Sequence, residues 1–254
     1  TSLTEATGDA RRSSVQVSAS GPGSRVDFSG LAEFLDARGD GSTDGQYSLL
    51  SATEGGTIAS PLLANATGTR IVVDGTGSLG LMALASFTTG RLEAGGADLA
   101  LPALVTGTDS DFFIDAVSVD LAALQDLSFG SIELVSGGTA DTGMVNHIDG
   151  AQFHANGGTT LALPMVTGYD FASTGNGQNR TLRASGAGSR LDLSNVAQVT
   201  GGSHYDSDLF VLAVAGGIVD LGSALSVDDP AAGDVRRRSI QLRSDGEGSL
   251  IDLS

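Results

Sequence analysis

The sequence predicts an all-β chain that folds as a single-stranded parallel β-helix, a solenoid of about ten coils with a 20–21-residue core period and four loop insertions. Three observations predict it: a short segment recurs at this period, apolar and polar residues alternate within each copy, and glycine precedes most copies at a fixed distance. Alternation with period two indicates a strand with one buried face. We expect right-handed coils, the usual hand.

The recurring segment is clearest in SGAGSRLDLSNV at residues 185–196, and SGPGSRVDFSGL at residues 20–31 is nearly the same. We take the Asp of LDL as an anchor for alignment. The matching anchors are Asp27, Ala59, Gly80, Ala100, Asp120, Asp141, Ala162, Asp192, Asp220 and Asp252. Their spacings are 32, 21, 20, 20, 21, 21, 30, 28 and 32 residues, so the basic period is expanded in four places.

Each coil contains the same elements in order. Each coil begins with a first strand, such as FFIDA or SIELV. In eight of ten units a glycine then stands four residues before the anchor, where a positive φ makes a sharp corner. The residue before the anchor is apolar in all ten units and the residue after it in eight, with Ser60 and Thr142 as the exceptions. Four residues after the anchor comes Leu or Val, a column that runs from Leu31 to Val196 and is expected to slip by one in the ninth unit, to Leu225.

We expect residues 1–254 to form one continuous β-helix domain, because a solenoid grows by adding coils. The pattern GD-x-RR occurs near the start of the chain and again before the tenth unit, so residues 1–14 are interpreted as the second half of an earlier coil. Neither end shows a capping helix. We therefore expect a fragment of a longer repeat array that lacks both caps.

Charge and composition exclude several classes of protein. The net charge is −17, which argues against binding a nucleic-acid backbone. There is no Cys, so disulfides and cysteine metal sites are excluded. No run of 18 apolar residues is present, and no membrane span is predicted.

The anchor column is a candidate calcium site. Stacking would align Asp192, Asp220 and Asp252 on the outer surface, where like charges on adjacent strands repel. Arg190 lies two residues before Asp192 on the same face and is expected to pair with it, whereas Asp220 and Asp252 have no such arginine. Bound Ca²⁺ would relieve this repulsion, and screening by water and salt is the alternative.

The insertions are the second place to expect chemistry. They fall at residues 32–46, 167–180, 197–209 and 226–239, and the last three should pile up as one lateral ridge. Within the ridge, GGSHYDSD places Asp206 and Asp208 beside His204. On an extended segment both carboxylates would face one side and could bind a cation or act as acid and base, while an ordinary turn is the alternative.

Two further clusters are weaker candidates. His147 and Asp149, with His154, could begin a zinc site that lacks an identifiable third ligand, and both histidine rings are expected to point outward. The loop DARGDGSTDG is a candidate calcium site through Asp36, Asp40 and Asp44, although their spacing is not that of an EF-hand.

GSRLDLSNVAQVTGG and GSRVDFSGLAEF resemble the β-helical repeat regions of very large secreted or surface proteins of bacteria, including adhesin- and haemagglutinin-like exoproteins. The resemblance implies an extracellular or cell-surface stalk, an adhesive rod, or a scaffold that carries other domains. Because the sequence shows no convergent catalytic set, we expect a non-enzymatic segment. Its partners would be neighbouring repeats of the same chain, end-to-end copies, or a carbohydrate or other cell-surface ligand.

Two other functions remain open. A polysaccharide lyase or glycoside hydrolase would need carboxylates, or an arginine base beside Ca²⁺, along one groove, but Arg70, Arg91, Arg180 and Arg183 show no obvious row. An ice- or mineral-binding face would need threonine ladders in register, and TGT and GGTT do not align.

If the aspartate column or the ridge holds calcium ions, adding Ca²⁺ should raise the melting temperature, because a ligand that binds only the folded chain stabilises it. Thermal melts with CaCl₂ and with excess chelator measure this. Identical melting curves in the two conditions would remove calcium from the interpretation.

Overall fold

The computed structural model describes residues 2–4, 14–37 and 48–254. The regular secondary structure of these residues is β-strand, joined by turns, bends, isolated bridges and irregular segments. The strands are β1 (Ser2–Thr4), β2 (Gln16–Ser20), β3 (Arg25–Asp27), β4 (Glu33–Leu35), β5 (Ser48–Thr53), β6 (Thr57–Ala59), β7 (Asn65–Thr67), β8 (Thr69–Val73), β9 (Ser78–Leu79), β10 (Ser86–Thr88), β11 (Arg91–Gly95), β12 (Leu99–Ala100), β13 (Asp111–Asp115), β14 (Ser118–Asp120), β15 (Ser131–Val135), β16 (Thr139–Asp141), β17 (Gln152–Asn156), β18 (Thr160–Ala162), β19 (Gly168–Asp170), β20 (Arg180–Ser185), β21 (Arg190–Asp192), β22 (Gln198–Thr200), β23 (Asp208–Val214), β24 (Ile218–Asp220), β25 (Ser226–Asp228), β26 (Ser239–Asp245) and β27 (Leu250–Asp252).

One long sheet, which we call the main sheet, runs the length of the stack. Its ten strands follow the order β2, β5, β8, β11, β13, β15, β17, β20, β23 and β26. Each is parallel to its neighbours and one coil away along the chain. This arrangement confirms the parallel β-helix predicted from the period.

Two further sides complete each coil. The anchor side contains three short sheets, β3-β6-β9, β12-β14-β16 and β18-β21-β24-β27. The third side contains β1-β4-β7-β10, then a run of isolated bridges through Ser86, Thr106, Asp126 and His147, then β19-β22-β25. Because β1 pairs with β4, residues 2–4 belong to an earlier coil, as predicted.

The anchors stack in the predicted register. Asp27 lies opposite Ala59, and Asp120 lies between Ala100 and Asp141. Ala162, Asp192, Asp220 and Asp252 follow one another in one ladder. The sequence alignment is therefore also a spatial alignment.

A narrow apolar core fills the interior of the coils. The column four residues after the anchor is buried from Leu31 to Val196, and the inward residues of the main sheet are buried from Val17 to Val211. Ser60 and Thr142, the two exceptions to the apolar pattern, are buried as well. Their hydroxyls donate hydrogen bonds to the carbonyls of Gly80 and Ala162 in the next coil, which satisfies both polar groups.

The corner before the anchor has the conformation that the glycines predict. Every glycine four residues before an anchor has a φ between 76° and 89°. In the fifth unit, whose anchor is Asp120, the sequence has Ala116 at this position, and its φ is also positive, at 58°. In the third unit, where Thr76 stands at this position, the positive φ falls one residue earlier, on Gly75, at 76°. The corner thus contains a left-handed residue in each unit, and glycine is favoured there because it lacks a Cβ.

One expected core position is wrong. Leu225 was predicted to enter the core through a one-residue slip, but it is 88% exposed. Ala224 keeps the column instead, and its N–H donates to the carbonyl of Leu221 at 2.8 Å, as Val196 does to Leu193 at 2.9 Å. The turn after the anchor keeps a fixed length, so the larger side chain is carried outward.

The described residues include no helix of sufficient length and apolarity to cross a membrane.

Replacing Leu193 with Ala should cost about 2–5 kcal/mol of unfolding free energy, because it opens a cavity in a fully buried layer. Leu225→Ala in the next coil is the matched control and should change stability by less than about 0.5 kcal/mol. Urea denaturation followed by circular dichroism measures both. Equal losses for the two variants would mean that Leu225 is in the core after all.

Candidate functional site

The six aspartates of the anchor column share one structural role. In each, Oδ1 accepts the backbone N–H two residues later, at 2.9–3.2 Å. These residues are Asp27, Asp120, Asp141, Asp192, Asp220 and Asp252. Such an Asx turn bends the chain after the anchor strand. The N–H of Ser29 is the largest cause that lowers the pKa of Asp27, to about 2, so the bond favours the ionised form.

The repulsion between Asp192 and Asp220 is relieved by one arginine that lies between their coils. Arg190 pairs with Asp192 at 3.6 Å and also with Asp220 of the following coil. Asp220 has no arginine two residues before it, as expected, and its ion partner comes instead from the coil before. Asp220 is the most enclosed of the three, with 11% of its side chain exposed. Asp252 forms no ion pair with the residues that the structure describes.

Calcium at these positions stays a prediction. The guanidinium of Arg190 already contacts the two carboxylates that an ion would bridge. Asp206 has a φ of 56° and lies in a turn, so the extended segment expected for Asp206 and Asp208 is wrong. Asp208 instead begins β23 and accepts a hydrogen bond from the hydroxyl of Ser239 at 2.5 Å. In the described ranges no three His, Asp or Glu side chains converge as metal ligands.

The three later insertions do stack as one lateral ridge. The N–H of Gly177 donates to the carbonyl of Tyr205, and that of Asp234 to the carbonyl of Ser203. The guanidinium of Arg236 lies 5.3 Å from the ring centroid of Tyr205. Each insertion thus contacts the next, as the sequence predicted for 167–180, 197–209 and 226–239. Of the first insertion, residues 38–47, including Asp40 and Asp44, lie outside the described residues; Asp36 is buried and bonds to Ser48.

A serine and a histidine meet inside the ridge. His204 Nδ1 lies 3.0 Å from Ser173 Oγ, and this oxygen accepts the N–H of Ser203 at 2.8 Å. The Ser173 hydroxyl thus joins the imidazole of His204 to the backbone of the same insertion. Within the described part of the chain no carboxylate bonds to the other ring nitrogen, so the pair links two insertions without the third group of a catalytic triad.

The histidines of the middle coils lie on different sides. Val145, Ile148 and Phe153 are buried, as predicted, and this directs His147 and His154 outward. His147 lies on the third side and His154 on the main sheet, between Glu133 and Arg183. Burial among these neighbours lowers the pKa of His154. The two rings therefore cannot share a metal ion.

The main sheet does align two of the arginines. Arg70 lies directly opposite Arg91, and both bind Glu93, at 2.6 and 2.7 Å. Burial alone would raise the pKa of Glu93, but the two guanidinium groups outweigh burial and lower it. Arg91 also lies 3.9 Å from Asp111, so the two arginines that the sequence did not align are paired with two carboxylates. Arg180 contacts the ring of Phe171 instead, 5.5 Å from its centroid.

The backbone ladder of the third side is interrupted once in the described chain. Each coil donates the N–H at one position to the carbonyl at the equivalent position of the coil before: Val105 to Ala85, Gln125 to Val105, and Asn146 to Gln125, at 2.9–3.0 Å. The ladder resumes with Ala197 donating to Thr167 at 2.9 Å. Between Asn146 and Thr167 this bond is missing.

The interruption coincides with a change in core side chain. The inward position on this side holds Leu127, then Ile148, and then Tyr169, whose larger ring is fully enclosed. The Tyr169 hydroxyl donates to the carbonyl of Ala151 at 2.9 Å, and burial raises its pKa far above the usual range. Next to the missing bond, the two coils are joined through a side chain: Oδ1 of Asp149 accepts the N–H of Asp170 at 3.0 Å.

A cleft of about 400 Å³ opens at the interruption. We call it the third-side cleft; it is formed by Asn146, His147 and Asp149, by residues 167–170 of the next coil, and by Gln198 and Thr200 of the coil after that. Sequence reasoning identified His147 and Asp149 but missed their partners. The signal available was the spacing, which changes from 21 to 30 residues at this coil.

Arg190→Gln should lower the unfolding free energy by about 1–3 kcal/mol, because it leaves the enclosed carboxylate of Asp220 without its ion partner. Arg25→Gln is the matched control. Its pair with Asp27 is half exposed, and its loss should cost less than about 1 kcal/mol. Chemical denaturation of both variants, and of Arg190→Gln combined with Asp220→Asn, measures the difference. Failure of the second substitution to restore stability would argue against this pairing.

Comparison with known proteins gives no match to a protein-family model, a curated protein or a solved structure. The resemblance to exoprotein repeats therefore stays a prediction.

Proposed function

We propose that this chain is a non-enzymatic structural or adhesive segment of a β-helical rod in a large secreted bacterial surface protein. The observation that carries the proposal is the main sheet, in which ten parallel strands stack in register without interruption. At about 4.8 Å per strand the stack is about 43 Å tall. Regular hydrogen bonding along this axis makes the stack a continuous rod, which suits a segment that holds other domains at a distance from a cell surface.

Further β-helical coils are the partners that suit such a segment. The main sheet grows by parallel, in-register addition of one strand per coil. We propose that coils of the same kind, in the same chain or in a second copy, are its partners.

A polysaccharide-active enzyme is the second candidate. One observation favours it: Asp149 and Asp170 belong to the same cleft, and two carboxylates on one groove are the minimum set for glycoside hydrolysis. Against it, neither Asp149 nor Asp170 forms an ion pair in the described chain, and no arginine lines the cleft to act as a base.

Incubation with a panel of polysaccharides tests the choice. For a structural or adhesive segment we expect neither new reducing ends nor unsaturated products after prolonged incubation, while the protein remains folded by circular dichroism. Turnover that Asp170→Asn abolishes would replace this proposal with the enzymatic one.

A further inference from the structure

The third-side cleft has the chemistry of a binding site for a neutral, hydroxyl-rich ligand. Its volume of about 400 Å³ lies within the range of small-molecule sites, about 300–1,000 Å³. Most such sites are lined by apolar side chains, but here most of the exposed lining is polar and includes carboxylates, amides, hydroxyls and an imidazole. A ligand that fits must therefore be bound mainly through hydrogen bonds.

The carboxylates have acceptor capacity to spare. Asp149 uses Oδ1 for the N–H of Asp170, and Asp170 uses Oδ1 for the N–H of Ala172 at 2.8 Å. These bonds fix both side chains in position and leave Oδ2 of each available. Since an ionised carboxylate accepts only, a ligand must offer donors to it.

Complementary groups surround the carboxylates. The side chains of Gln198 and Thr200 form no hydrogen bond within the described chain, so one amide and one hydroxyl are open to donate or accept. Asn146 Oδ1 bonds to Nδ1 of His147 at 2.6 Å, which leaves the imidazole Nε2 to accept. The missing backbone bond adds the N–H of Thr167 and the carbonyl of Asn146, two residues that line the cleft.

The charge of the cleft selects against anions. No lysine or arginine lines it, and the whole chain carries a net charge of −17. A uronate, sulfate or phosphate group would meet two carboxylates without a compensating cation. A ligand with many hydroxyls and no negative charge meets none of this repulsion.

We propose that the third-side cleft binds a neutral saccharide, with Asp149, Asp170 and Gln198 bonding to its hydroxyl groups. The proposal rests on the adhesive function above and names the ligand class of that function. Three successive coils supply the binding groups, so the site exists only when the stack is formed.

Saturation-transfer NMR and titration calorimetry on the full chain test the proposal. The probes are a panel of neutral oligosaccharides of glucose, galactose and mannose, with oligogalacturonate as the anionic comparison. We expect binding of at least one neutral member and none of the uronate. Gln198→Ala and Asp170→Asn should each weaken binding by about tenfold, the loss expected for one charge-assisted or buried hydrogen bond.

Gln152→Ala on the main sheet is the matched control for Gln198→Ala and should leave affinity unchanged. Asp170→Asn keeps an oxygen for the N–H of Ala172 but removes the charge, so it should also relieve the repulsion of the uronate. Circular dichroism of each variant confirms that it folds.

The possible failures are distinguishable. If no neutral saccharide binds, or if the uronate binds more tightly, the inference is overturned while the structural rod stands. If a saccharide binds but neither cleft variant weakens it, adhesion stands and this site is wrong. If the bound saccharide is cleaved, the non-enzymatic function fails and the ligand assignment survives.

Discussion

Parallel stacking of successive coils is the constraint on which the structure depends. Each coil donates and accepts backbone hydrogen bonds along the axis, and each covers the apolar layer of its neighbour. A side chain at one position therefore lies about 4.8 Å from the side chain at the same position in the next coil. The packing requirement therefore applies to columns rather than to single residues, which is why Leu104, Leu124 and Val145 occupy equivalent places and why a positive φ recurs at the corners.

The same stacking creates the electrostatic problem of the anchor side and explains its solution. Aspartate is useful after the anchor strand because its carboxylate accepts the N–H of the turn, but repetition brings like charges together. Arg190 serves two coils at once, with one guanidinium against Asp192 and Asp220. The main role of the anchor aspartates is therefore to form the turn that follows each anchor strand. Metal binding would be an addition to that role, and a cation in the upper part of the column would have to displace Arg190.

Much of the fold could be predicted because its determinants are local. The period, the inward columns and the glycine corners depend on residues within one coil, and the repeats allow each to be checked ten times. What failed depended on contacts between coils or on the geometry of a turn. Leu225 looked like a core residue by type, but turn length decides the register and places Ala224 inside. The partner of Asp220 comes from a residue 30 positions earlier, a distance that no local pattern reveals.

The cleft was the least predictable feature because it is defined by a missing bond. A solenoid uses nearly all of its backbone groups in stacking, so its regular sides present only side chains to a ligand. Where two coils separate, backbone donors and acceptors join the side chains, and groups from three coils meet in a concave surface. Tyr169 marks this place in the core, since its ring replaces Leu127 and Ile148 and its hydroxyl ties it to Ala151. In a fold made of repeats, the position at which the repeat is broken is therefore the one to examine for recognition, and here the break combines open acceptors with a surface that repels anions.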